Sequence, residues 1–165
     1  MRKGIAAILC LLAPMAPVVA ADVKPTQTQI AGRWTGETLG MKRGMPITLD
    51  IVACGSSWCG IKVEAGDTCG ATALKVDFVE PLGEPQSDSL RFDGTLELAP
   101  GTEPYVVQAW LLPASEKHPL MIQISGDTGG VYREYRRSFP FEARFVRVKD
   151  AVCHAPATVS SLEQK

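Results

Sequence analysis

Apolar and polar residues alternate one for one through most of this chain. Ile47, Leu49 and Ile51 alternate with Thr48, Asp50 and Val52. Cys59, Ile61 and Val63 alternate with Gly60, Lys62 and Glu64, and Thr72, Leu74, Val76 and Phe78 with Ala73, Lys75 and Asp77. Successive side chains of a strand point to opposite faces, so a period of two marks half-buried strands. Runs of the same kind cover 30–39, 89–98, 105–112, 120–125 and 139–148. In the last, Phe139, Phe141, Ala143 and Phe145 share one face, with Glu142 and Arg144 on the other. No segment carries a helical period for more than one turn. Glycine, proline and aspartate gather between the runs, at 40–44, 65–67, 81–88, 99–101, 113–119 and 126–130. This is turn chemistry. Strands at such spacing predict an all-β chain, a single antiparallel meander of about eight strands closing into a small barrel.

The N-terminus constrains the compartment. Arg2 and Lys3 precede an unbroken apolar run from Ile5 to Leu12, and small residues lead to Ala20 and Ala21. This pattern predicts a secretory signal peptide over 1–20, cleaved after Ala20 or Ala21, and a periplasmic or secreted protein. The run is shorter than the ~20 residues a membrane-spanning helix needs, so no transmembrane segment is expected after cleavage. The expected organisation is then a flexible leader over 21–29, a barrel domain over 30–153 and a flexible tail over 154–165. A formal net charge of -1 offers no basic surplus for nucleic acid.

Export makes oxidation the default state of the cysteines left after cleavage, Cys54, Cys59, Cys69 and Cys153. Several pairings are open to them. Cys54 and Cys59 flank Gly55-Ser56-Ser57-Trp58 between two strand-like runs. A four-residue hairpin loop would set them face to face, close enough for a bridge. Cys69 and Cys153 would then pair and tie the C-terminal segment to the barrel. The rival reading is a zinc site, but the sequence lacks a CxxC and its only histidines are His118 and His154. No metal or cofactor is expected.

The first strand contains Gly32-Arg33-Trp34. A glycine two residues before a tryptophan, opening an eight-stranded meander, resembles the N-terminal signature of the lipocalin-like (calycin) barrels. The resemblance implies that Trp34 plugs the closed end of the barrel. It also implies that an arginine near the last strand, Arg147 rather than Arg144, stacks on Trp34 as a cation–π contact. A second resemblance covers more of the chain. Gly32-Arg33-Trp34, then Ile47-Thr48-Leu49-Asp50-Ile51, then Cys54-Gly55-Ser56-Ser57-Trp58-Cys59-Gly60, is similar to a family of small exported bacterial proteins of unknown function with lipocalin-like barrels. It implies a fold and a compartment, not an activity.

No catalytic constellation stands out. His118 lies in a loop beside Pro119, and His154 in the tail. There is no Gly-x-Ser-x-Gly, and Ser57 and Ser125 have no evident base. Asp50, Asp77, Asp93 and Glu97 fall on outward strand phases, where carboxylates serve solubility. Asp127-Thr128-Gly129 resembles the aspartic-protease triplet, but a single copy in a short chain reads as a turn. Arg133, Arg136 and Arg137 form the one basic cluster, a patch for an anionic partner or simply a solvated face. The expectation is a non-catalytic exported barrel that binds a small apolar or amphipathic ligand inside. The alternative is an envelope interaction or inhibitor module acting through its outer surface.

Overall fold

The structure, a computed structural model, describes residues 26–39, 44–80, 88–128 and 141–155. Eight strands follow one another: β1 (Gly32–Leu39), β2 (Pro46–Cys54), β3 (Ser57–Glu64), β4 (Thr68–Val79), β5 (Leu90–Leu96), β6 (Tyr105–Leu112), β7 (Met121–Asp127) and β8 (Phe141–Lys149). Each pairs antiparallel with the next, and β8 returns to β1, closing the barrel. The all-β meander read from the alternation is therefore the architecture. Closure satisfies every strand's ladder and leaves no open edge.

Residues directly paired across a ladder share a face. One connected set, running from Trp34 through Leu49 and Ile51 to Leu74, Val76, Phe92, Leu96, Val107, Ala109, Leu111, Ile122, Ile124, Ala143 and Phe145, forms the interior, and all of it is buried. Phe78 packs edge-on against Phe92, centroids 5.7 Å apart. The outward phase is mixed: Arg91, Trp110, Gln123 and Arg144 follow one another across β5 to β8, and Val106, Val146 and Val148 are exposed. An apolar interior contrasts with the polar lumen of a lipid-facing barrel.

One end of the barrel is closed from within. The ring of Trp34 is fully buried, and its Nε1–H donates to the Ile30 carbonyl at 2.8 Å. Ile30 ends a 3₁₀ turn, Gln27–Ile30, just ahead of β1. Thr26 N–H donates to Gln29 Oε1 at 2.8 Å and Gln29 N–H returns to the Thr26 carbonyl at 2.9 Å. The last residues of the expected flexible leader are thus ordered, because this reciprocal cap and the burial of Ile30 fix them.

Two expectations for β2 and β3 need correction. The hairpin loop is two residues, not four: Cys54 pairs with Ser57 and Ala53 with Trp58. Gly55 takes φ 69, a left-handed conformation that glycine accepts without steric cost. Cys54 and Cys59 then lie diagonally on one face and still bridge, with Cα atoms 5.8 Å apart. The second correction concerns phase. Ile51 faces Gly60 and Leu49 faces Lys62, so the inward residues of β3 are Trp58, Gly60 and Lys62. The apolar set Cys59, Ile61 and Val63 points outward. Ile61 is nonetheless 3 % exposed; its ladder partner is Asp50, on which the chain after β8 closes through the Val152 and Cys153 N–H groups. A one-residue change of register exchanges the two faces of a strand, and here both faces are covered.

Candidate functional site

At the end opposite Trp34, where the connections β1–β2, β3–β4 and β5–β6 lie, the barrel interior opens into an apolar recess of about 280 Å³. Leu49, Leu96 and Phe145 are almost wholly buried and form its floor. Ile47, Ala73 and Phe141 wall it, and Met45, Pro46, Leu98 and Ala99 stand nearer the rim. Thr38 and Lys62 supply its polar side chains, and Lys62 is its one charged residue among the described residues. Among the described residues no carboxylate pairs with Lys62. Deeper in the barrel Phe92 and Trp34 fill the space. Among the described residues the interior is therefore packed in its middle and carries a recess at its mouth.

A larger depression, about 560 Å³, lies outside the closed end. It is a shallow groove between Thr28, Gln29 and the segment Asp150-Ala151, with Trp58 and Leu120 along it. The mouth recess is smaller but better enclosed and more apolar, which favours it as a ligand site.

The resemblance places Arg147 on Trp34. The two are direct partners across β1 and β8, but the guanidinium reaches over Gly32 instead, where a Cβ would sit 2.6 Å from Arg147 Nε. Arg147 Nε donates to the Ala31 carbonyl at 3.2 Å and Nη2 to Asp150 at 2.7 Å. The one cation–π contact among the described residues is Arg91 over Trp110, 5.7 Å from the ring centroid. Gly32 is thus the residue that lets Arg147 close over the end of the barrel.

The densest polar cluster lies on the outer wall. Asp50 is outward, as its phase predicts, but it is fully buried and does not serve solubility. Arg33 Nε donates to Asp50 Oδ1 at 2.6 Å and Nη2 to Oδ2 at 2.9 Å. The backbone N–H groups of Val152 and Cys153 both donate to Oδ2 at 2.8 Å. Arg33 also pairs with Asp67, which Lys149 approaches at 3.4 Å. Burial by itself would raise the Asp50 carboxyl; the hydrogen bonds from Arg33 and from Cys153 and Val152 outweigh it and hold the group below the usual carboxylate range. The Arg33 cation beside Asp67, with Lys149 next, lowers that carboxyl too. The second bridge, Cys69–Cys153 with Cα atoms 5.7 Å apart, pins the same segment. Every polar atom here is engaged by the protein itself, so the cluster is a clasp, not an open site.

The remaining candidates separate. His118 and His154 are exposed and far apart in the chain. Ser57 and Ser125 lie on different strands, and Asp93 is held by Arg91 at 2.5 Å. Among the described residues no group of three or more His, Cys, Asp and Glu could hold a metal ion. Arg133, Arg136 and Arg137 lie outside the described residues, as do 1–20 and most of the expected tail. The recess residues Thr38, Met45, Lys62 and Leu98 carry no motif. The signal that could have found Lys62 was its phase, since a hairpin at Cys54–Cys59 with either loop length sets it on the face of Leu49 and Ile51.

No protein-family model, curated protein or solved structure matches this chain. Fold and site together define a class: a disulfide-bridged, closed eight-stranded barrel with an apolar recess at its mouth.

Proposed function

We propose that this is an exported, non-catalytic, lipocalin-like barrel that binds a small apolar or amphipathic ligand at its mouth. The observation that carries the reading is the enclosed recess above Leu49, Leu96 and Phe145. A small antiparallel barrel can hold one small molecule inside, and an apolar cavity with few polar groups is the usual form of such a site. Export is supported by the signal-like N-terminus and by the two disulfides, which belong to an oxidising compartment. Native mass spectrometry of the processed protein, purified gently from its own envelope fraction, tests the reading. A small bound mass that leaves on denaturation is the expected result. A clean two-disulfide mass, together with no displaceable binding of a fluorescent amphiphile, would overturn it.

A further inference from the structure

The outer wall of β5, β6 and β7 carries a depression of about 450 Å³. Asp93, Gln108 and Ser125 follow one another across its ladders, and Val106, 61 % exposed, stands beside them. Small residues open it: Ser125 faces Gln108, and the next position on β7 is Gly126. Trp110 lies two residues beyond Gln108 on the same face and is half-buried. Trp34 and Trp58 are on inward phases, so Trp110 is the one tryptophan presented by the outer wall. Arg91 sits over its ring, 5.7 Å from the centroid, and Asp93 accepts from Arg91 Nε at 2.7 Å and from Nη2 at 2.5 Å. This bidentate pair fixes the ring's neighbour, and with it the ring. The side chains of Gln108 and Ser125 hydrogen-bond to nothing among the described residues.

We infer that this wall takes an uncharged oligosaccharide laid along β6, its pyranose rings against Val106 and the exposed part of the Trp110 ring and its hydroxyls on Gln108, Ser125 and Asp93. A pyranose has an apolar C–H face and a rim of hydroxyls, each both donor and acceptor. The wall offers the matching set. Val106, Gln108 and Trp110 alternate apolar, polar, apolar along one face. Four residues of antiparallel strand span about 14 Å, the length of about three linked pyranose rings. Charge decides against a polyion. Cations and carboxylates interleave, Arg91 paired with Asp93 and Arg144 two residues from Glu142, so the wall has no field of one sign. A purely apolar ligand would cover the Asp93 carboxylate and the Gln108 amide without giving them partners. The site shares no residue with the mouth recess, so it stands apart from the reading above.

The test titrates the processed, disulfide-bonded protein calorimetrically with cellohexaose, N-acetylchitohexaose and maltohexaose, and with hexagalacturonate as the anionic counterpart. At least one neutral hexaose should bind with Kd of about 1 mM or tighter, and hexagalacturonate should not bind. Trp110→Ala should weaken that binding about tenfold or more, and Gln108→Ala about three- to tenfold. Trp58→Phe, outside the wall, should leave it unchanged. Gln108 is exposed and without a partner, so Gln108→Ala should fold even if Trp110→Ala does not; thermal unfolding checks both. Trp110→Ala should also leave untouched any fluorescent amphiphile held at the mouth, which separates the two sites. Failure of all three neutral hexaoses, or binding that neither Trp110→Ala nor Gln108→Ala alters, would overturn the inference. So would tighter binding of hexagalacturonate, or a dimer, seen by sedimentation, that Trp110→Ala dissociates while no hexaose binds, since the wall would then belong to a second copy.

Discussion

Replacing Asp50 by alanine should be the most damaging single polar substitution in this barrel. Asp50 is fully buried and accepts four hydrogen bonds, two from Arg33 and two from backbone N–H groups. Its loss leaves the Arg33 guanidinium, 3 % exposed, without its main counter-charge and two amides without an acceptor. Breaking a buried ion pair by removing one partner costs about 3–5 kcal/mol. Asp67 still faces Arg33, but its side chain is 61 % exposed, so its residual attraction is screened by solvent and does not replace Asp50. The expected cost of Asp50→Ala is therefore about 3–4 kcal/mol, or roughly a 10–15 °C fall in Tm for a domain of this size. Guanidinium unfolding followed by tryptophan fluorescence, under non-reducing conditions, measures it. A double-mutant cycle with Arg33→Met separates the pair from the clasp. The double variant should recover part of the loss, because no unpaired charge remains. A cost for Asp50→Ala under ~1 kcal/mol, or single losses that simply add, would refute the reasoning.

Acid should weaken the same clasp. Because the folded carboxyl of Asp50 is lowered, its stabilisation is complete above the unfolded value of about 3.9 and is lost as pH falls from there through the lower folded value. Asp50→Asn should flatten the pH dependence of stability in that window, as equilibrium unfolding at stepped pH would show. The two bridges should contribute unequally. In the chain-entropy model the Cys69–Cys153 bridge, with a sequence separation of 84, stabilises by about 4.5 kcal/mol and the Cys54–Cys59 bridge, with a separation of 5, by about 2 kcal/mol. Paired Cys→Ser variants compared by denaturant midpoint should preserve that order. Gly94→Ala should cost about 2 kcal/mol or more, since its Cβ would lie 1.9 Å from the Lys75 carbonyl oxygen and the neighbouring strand must move. Gly55→Ala should cost only about 1 kcal/mol, because the turn has open space and pays only for its positive φ. Thermal unfolding of the two variants side by side checks the contrast.

The strands were legible because alternation is a local property. Each of the eight runs declares its period within a few residues, and turn residues mark where it stops. The place of Trp34 at the end of the barrel was implied only by the resemblance of Gly32-Arg33-Trp34; the residues themselves read it as a core side chain, and it is fully buried. The mouth recess was not legible. It is assembled from β1, β2, β3, β4, β5 and β8 together with Met45, Leu98 and Ala99, and no short window contains it.

Asp50 and Lys62 mark where local reading ends. From sequence, both are charged residues at alternating positions of strands, and Asp50 reads as solvated. Their contrasting environments depend on contacts over long separations. Val152 and Cys153 fold back over Asp50, 102 and 103 residues away, turning an outward carboxylate into the acceptor at the centre of a clasp. In the β2–β3 ladder the pairing of Ile51 with Gly60 and of Leu49 with Lys62 puts Lys62 on the inward face and Ile61 on the outer one. The sequence by itself determined that this chain is a meander of strands, with cysteines suited to an oxidising compartment, because periodicity and turn chemistry act over neighbouring residues. Only the tertiary structure decided which face of β3 looks inward, which charge is sealed and where the apolar recess lies. Those outcomes depend on register and on a distant segment covering an outer wall, and neither is encoded within any single element.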